Sequence, residues 1–190
     1  MGVTGGLASG KTTVADMLVK KGAVKIDVDA LGHRLLSEDG GVKEGIIGLF
    51  GDKVLSGGKI DRDKLRKEVF SDSGKALALN GLMHPLMVEV VKKEIERFQE
   101  GVLLVDAALL IEMGLDKYVD VIVLVTADDG NMVKRAVNRD ISEEEAATIM
   151  AHQMPVPEKK RHADHIIDNN GNIDETKKGV DELWKKIQKQ

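Results

Sequence analysis

Gly5-Gly6-Leu7-Ala8-Ser9-Gly10-Lys11-Thr12 decides how this chain of 190 residues is read. The octet fits the pattern GxxxxGK[ST]. Its glycines let the backbone bend tightly enough to aim successive N–H groups at one anion, and a helix starting at the lysine adds the positive end of its dipole. Lys11 then reaches the terminal phosphates of a nucleotide, and the Thr12 hydroxyl can ligate Mg²⁺. An ordinary glycine turn entering a helix is the plainer alternative, and the flanks argue against it. Residues 1–4 read as the end of a buried strand, and residues 11–21 carry Val14, Met17 and Leu18 at helical spacing.

Outward from the loop, residues 23–29 read as a second strand, with Ile26 and Val28 on one side and Asp27 and Asp29 on the other. A helix follows over 30–36. The stretch 38–59 is glycine-rich around one short helix at 42–50, which marks a peripheral excursion. Asp61 can cap a helix bearing Leu65, Val69 and Phe70, Ser73 can cap the next, and Pro85 suits the first turn of a longer helix reaching residue 99. Residues 101–106 and 118–126 are continuous apolar runs, as in strands covered on both faces. Residues 132–139 form a short basic helix, and Ser142 with Glu145 is a capping-box signature for a helix over 143–153. Pro155 and Pro157 interrupt it, leaving 158–162 as a charged connector. A strand over 165–167 and a helix over 174–190, with Val180, Leu183, Trp184 and Ile187 inward, complete the chain. Strands alternating with helices imply an α/β fold with a parallel sheet.

Composition narrows the function. The net charge is −4 with both signs interspersed, which favours neither nucleic acid nor an anionic membrane surface. One Trp, one Tyr and three Phe are too few for a stacking platform on single strands. The absence of cysteine excludes disulfides, thiol nucleophiles and cysteine-ligated metals. No apolar run approaches the roughly 20 residues of a membrane span, and no segment has the order of a signal peptide, so a cytoplasmic protein is expected. At roughly 150 residues per domain, the chain is one domain with a surplus for a lobe or lid.

Several side chains could act on a bound phosphate. Asp27 and Asp29 fall at the carboxyl end of the second strand, where ligands gather in open parallel sheets. A carboxylate there can orient Mg²⁺ or take a proton from an attacking hydroxyl, and Asp29 fits equally well as the cap of the next helix. Arg135 and Arg139 are one turn apart, with Lys159, Lys160 and Arg161 beyond the proline break; such groups can close over a nucleotide or simply face water. Arg62 and Arg66 could hold a phosphorylated substrate or face water, His84 could make a polar contact beside a rigid helix start or be a structural hydrogen-bonding group, and Asp106 ends an apolar strand as a Walker-B acid or an ordinary turn residue would.

Taken together, Thr4 to Thr13, Ile26-Asp27-Val28-Asp29, Arg62 with Leu65 and Val69-Phe70, His84-Pro85-Leu86 and Ala163-Asp164-His165-Ile166-Ile167-Asp168-Asn169-Asn170-Gly171 resemble the dephospho-coenzyme A kinase family, in order over nearly the whole chain. The resemblance implies a P-loop kinase fold: a nucleotide-binding core over 1–37, 101–128 and 164–190, a helical acceptor lobe over about 38–100 and a helical lid over about 129–163, all one domain over 1–190. It implies ATP-dependent phosphorylation of the ribose 3′-hydroxyl of dephospho-coenzyme A, with Mg²⁺ as cofactor. Residue by residue, it places Ala8, Ser9, Gly10, Lys11, Thr12 and Thr13 on the ATP phosphates, with Asn169 and Gly171 in the loop near the adenine. It makes Asp29 the catalytic base and a second candidate metal ligand beside Thr12, Arg62 and His84 acceptor contacts, and Arg139 the lid arginine acting with Lys11. The segment Asp106-Ala107-Ala108-Leu109-Leu110-Ile111-Glu112 departs from the family, which commonly has a proline at 108 and an aromatic at 111, and the family's first strand usually starts a little earlier. Other small-molecule P-loop kinases are the nearest alternative, with different acceptor-lobe motifs. A guanine-nucleotide switch would carry Asn-Lys-x-Asp, which the chain lacks.

Overall fold

The computed structural model describes residues 1–70 and 72–189, without the side chains of Phe70 and Ser73. The expected inward face at Phe70 and cap at Ser73 therefore lie outside the described residues. The chain divides into two compact units, Met1–Asp27 with Lys92–Gln190, and Val28–Val91.

The first unit opens with β1 (Gly2–Gly5), α1 (Lys11–Lys20) and β2 (Val24–Asp27). The second strand is shorter than the sequence pattern suggests. Its pairing ends with Asp27, and Val28 and Asp29 begin a helix, where an acid in the first turn complements the positive N-terminal end.

The second unit holds α2 (Val28–Glu38), α3 (Gly40–Phe50), β3 (Leu55–Ser56), β4 (Lys59–Ile60), α4 (Arg62–Phe70) and the start of α5 (Ser73–Arg97). Asp39 caps α3 through Val42 N–H, and Asp61 caps α4 through the N–H groups of Asp63 and Lys64. At the start of α5 it is Asp72 whose carboxylate takes the Gly74 N–H, at 2.7 Å. Pro85 lies inside α5 rather than at a helix start. It costs the ladder one N–H. The helix continues because Met83, Met87 and Val91, spaced by four, keep one face buried across the break.

The chain then returns to the first unit with β5 (Leu103–Asp106), β6 (Ile122–Thr126), α6 (Asp129–Val137), α7 (Glu143–Ala151), α8 (Val156–His162), β7 (His165–Asp168) and α9 (Ile173–Ile187). Of the strand expected over 118–126, only Ile122–Thr126 pairs, and Tyr118 ends a 3-10 turn over Leu115–Tyr118. The presumed connector at 158–162 is helical, because Pro157 sits in the first turn of α8, where its missing N–H has no partner to lose.

Five strands pair in parallel in the order β2-β5-β1-β6-β7. α1 and α9 pack together against one face, where Val14, Leu18, Val180 and Leu183 meet Val3, Leu104, Val123 and Ile167. Trp184 and Ile187 pack on this cluster, as the helical spacing predicts. The register aligns Asp27 with Asp106, Gly5 with Val125 and Thr126 with Asp168. All five strands therefore end along one edge, which is where an open parallel sheet binds its ligands.

Candidate active site

At that edge β1 runs out into the glycine-rich loop. A Cβ on Gly5 would collide with Ser9 Oγ and the Val125 carbonyl, so the loop packs directly on β6. Ala8 holds φ 54° and Gly10 φ 97°, and Ser9 N–H closes a turn on the Gly6 carbonyl at 3.1 Å. Beyond Gly10 the backbone enters α1, leaving the first-turn N–H groups of the helix at the loop. Lys11 turns back across the loop to pair with Asp106 at 2.5 Å, and Asp106 is 1% exposed. Thr12 is exposed and Thr13 half-buried in the first turn of α1.

The other side of the loop is held from far along the chain. Asn169, which follows β7, donates from Nδ2 to the Ser9 carbonyl at 2.8 Å, and its Oδ1 accepts from Thr176 Oγ1 at 2.7 Å. A Cβ on Gly10 would overlap the Asn169 amide. Arg135 donates to the Asn169 carbonyl at 2.7 Å and more weakly to the Ser9 carbonyl at 3.4 Å. Next in sequence, Asn170 Oδ1 accepts the Asp128 N–H at 2.6 Å and its Nδ2 donates to the Asp128 carboxylate at 3.2 Å. These bonds frame a cleft of about 370 Å³ lined by Thr126, Asp128, Asp168 and Asn170, with Val156 and Lys160 opposite. Gly171 is exposed at its loop, where a Cβ would overlap the Glu175 carboxylate.

Ser9 and Gly10 of the loop are thus brought against Asn169 within one unit. The two arginines are not equivalent. Helix α6 ends at Val137, so Arg139 lies in the turn beyond it and does not share a helix face with Arg135. Arg139 is exposed, and Arg135 is the one that reaches the loop.

The remaining expected residues belong to the second unit, where Asp29 is exposed in the first turn of α2 and His84 half-buried in α5. Arg62 donates from Nη2 to His33 Nε2 at 2.9 Å. That pair borders a cleft of about 580 Å³ also lined by Arg66, Leu36, Leu65 and Leu79. His33 was not singled out in the sequence. Its position four residues after Asp29, on the same face of α2, is the signal that points to it.

A parallel sheet with this strand order, a glycine-rich loop leading into a helix with Lys and Thr, and a strand-end acid on the loop lysine define a P-loop kinase. The family model for dephospho-CoA kinase matches residues 1–175. A dephospho-CoA kinase of Fusobacterium nucleatum is 38% identical over 189 residues, covering 98% of this chain and 97% of that protein. Among solved structures, TT1252 from Thermus thermophilus superposes with a TM-score of 0.80 at 30% identity, covering 97% of this chain and 95% of that one. The dephospho-CoA kinase from Campylobacter jejuni does so with a TM-score of 0.74 at 25% identity, covering 99% and 96%. The chain belongs to the dephospho-CoA kinase family.

Proposed function

We propose that the chain transfers the γ-phosphoryl group of ATP to the ribose 3′-hydroxyl of dephospho-coenzyme A, the final step of coenzyme A synthesis. The observation that carries this reading is the loop over 5–12, seated at the carboxyl edge of the parallel sheet with Lys11 on Asp106, in a chain of this family. Phosphoryl transfer asks little covalent chemistry of a protein, so positioning and fixed charge carry the rate. The N–H groups of residues 8–13 and the Lys11 ammonium bind the phosphates, and Asn169 and Gly171 border the base. Asp29 takes the proton that leaves the attacking hydroxyl, while Arg62 and His84 contact the acceptor. Arg139 closes over the transferring group from a lid formed by residues 129–163, and residues 38–100 supply the acceptor lobe.

Mg²⁺ fits the oxygen donors at the loop. The Thr12 hydroxyl would hold it, with Asp29 as a second candidate, and the chemistry it would supply is neutralisation of charge on the phosphates. Among the described residues no group of three His, Cys, Asp or Glu could hold a metal, which suits an ion that takes most of its ligands from phosphate and water. No helix of the described residues is long and apolar enough to cross a membrane, and the proposed site of action is the cytoplasm.

The test is a coupled assay with ATP, Mg²⁺ and dephospho-coenzyme A. Wild type should consume ATP only with that acceptor, and Asp29→Asn should fold and bind ATP yet lose about 10² or more in kcat. No turnover by wild type would sink the substrate assignment, and normal turnover by Asp29→Asn would sink the base.

A further inference from the structure

The first bend of the phosphate loop is held by a side chain from outside it. Gln153 follows α7, and its Oε1 accepts the backbone N–H of Leu7 at 3.0 Å. Leu7 precedes the stretch 8–13 proposed to bind ATP, so this bond takes no donor away from phosphate. The next residue, Ala8, is a non-glycine held at φ 54°, a conformation that persists only when its surroundings fix it. Asn169 and Arg135 grip the carbonyl of Ser9 on the far side, and Gln153 grips the near side.

Gln153 is in turn anchored by an ion pair whose lysine is buried. The N–H of its neighbour Met154 donates to Glu112 Oε1 at 2.8 Å, and the same oxygen pairs with Lys159 Nζ at 3.0 Å. Lys159 is fully buried, and it also donates to the Ala108 carbonyl at 2.7 Å, an oxygen shared with Thr4 Oγ1 of β1 at 3.0 Å. An ammonium out of water is tolerated only where acceptors surround it. Here those acceptors belong to the turn after β5, and through Thr4 the same turn is tied to the strand that feeds the loop. Residues 153–159 therefore form a fixed point shared by the end of α7 and the first bend of the loop.

We propose that Gln153 is a positioning residue for the nucleotide: by holding the Leu7 N–H it sets the loop in its phosphate-ready curvature, with the Glu112–Lys159 pair as its anchor. This rests on the loop being the ATP site, as in the reading above, and is independent of which acceptor is used.

Gln153→Met keeps the length of the side chain and removes the acceptor oxygen. Calorimetry without acceptor should show the Kd for ATP raised about tenfold, and KM for ATP should follow. Both kcat and the KM for acceptor should change by less than about threefold, with Tm within about 2 °C of wild type. The double variant Glu112→Gln/Lys159→Met removes the ion pair without stranding a buried charge. It should weaken ATP binding in the same direction and add little when combined with Gln153→Met. The proposal is overturned if Gln153→Met binds ATP within about twofold of wild type, if acceptor KM rises as much as ATP KM, if Tm falls with it, or if the combined effects are fully additive. Because calorimetric binding requires no turnover, a wild type that binds ATP but phosphorylates no dephospho-coenzyme A defeats the substrate assignment and leaves this test standing.

Discussion

Gly10 combines two restrictions at one position. Its φ of 97° lies where side chains are strained, and the space a Cβ would need is filled by the Asn169 amide. Gly10→Ala should therefore either displace Asn169 from the Ser9 carbonyl or flatten the loop, and ATP binding measured by calorimetry should fall by at least about tenfold. Binding at wild-type strength would show that the loop can hold phosphate without this close approach. The need for glycine at this position is legible in the sequence, since GxxxxGK[ST] states it. Its partner is not, because nothing in the linear order announces that Asn169, near the other end of the chain, fills the gap. The same holds for the arginines. Spacing by four suggested one helix face, but the helix stops between them, and a backbone bond from Arg139 N–H to the Ala136 carbonyl turns the chain instead.

Among the elements, those with strong periodicity or explicit caps fall where the sequence reading puts them: α1, α4, α7 and α9. The misreadings cluster where two local signals compete. Proline favours the first turn of a helix and so predicts a start at Pro85, yet the buried run Met83, Met87, Val91 outweighs the lost N–H. The glycine-rich pattern of 38–59 gives no alternation that marks β3 and β4 as a hairpin, although Gly57 and Gly58 hold φ 57° and 77°, the positive values a tight hairpin turn requires. One tie between elements carries a pH dependence. Glu68 of α4 accepts from Lys53, before β3, and from Lys75 of α5, each at 2.7 Å, and these bonds hold its carboxyl below the ordinary 4.5. A carboxyl depressed in the folded state stabilises at pH above its unfolded value, and the contribution is lost as pH falls through the folded one. Thermal melts should show wild type above Glu68→Gln at neutral pH, with the gap closing below pH 4.5. A gap that stays constant down to strong acid would show that the bridge contributes nothing.

For the whole molecule, the division into two units separates what the proposed residues can be asked to do. Every proposed nucleotide-phosphate contact lies in the first unit, and Arg62, His33 and His84 lie in the second. Arg62→Ala should raise the KM for acceptor about tenfold or more while leaving the Kd for ATP within about twofold, as read by steady-state kinetics and calorimetry. A comparable loss of ATP affinity would mean that Arg62 serves the nucleotide instead. The α/β class and the parallel sheet were legible because strands and helices alternate; the strand order was not, because pairing is decided by packing between distant segments.

The bond from Asn169 to the Ser9 carbonyl also has a temporal meaning. A chain emerging from the ribosome makes its phosphate loop first and the residue that braces it among the last, with β7 and Thr176 needed to hold that residue in place. Until the final strand docks, the loop lacks one wall and Ala8 has little reason to keep its strained backbone. Nascent or prematurely terminated chains should therefore bind ATP weakly, because the brace on the loop arrives only with the C-terminal strand and helix.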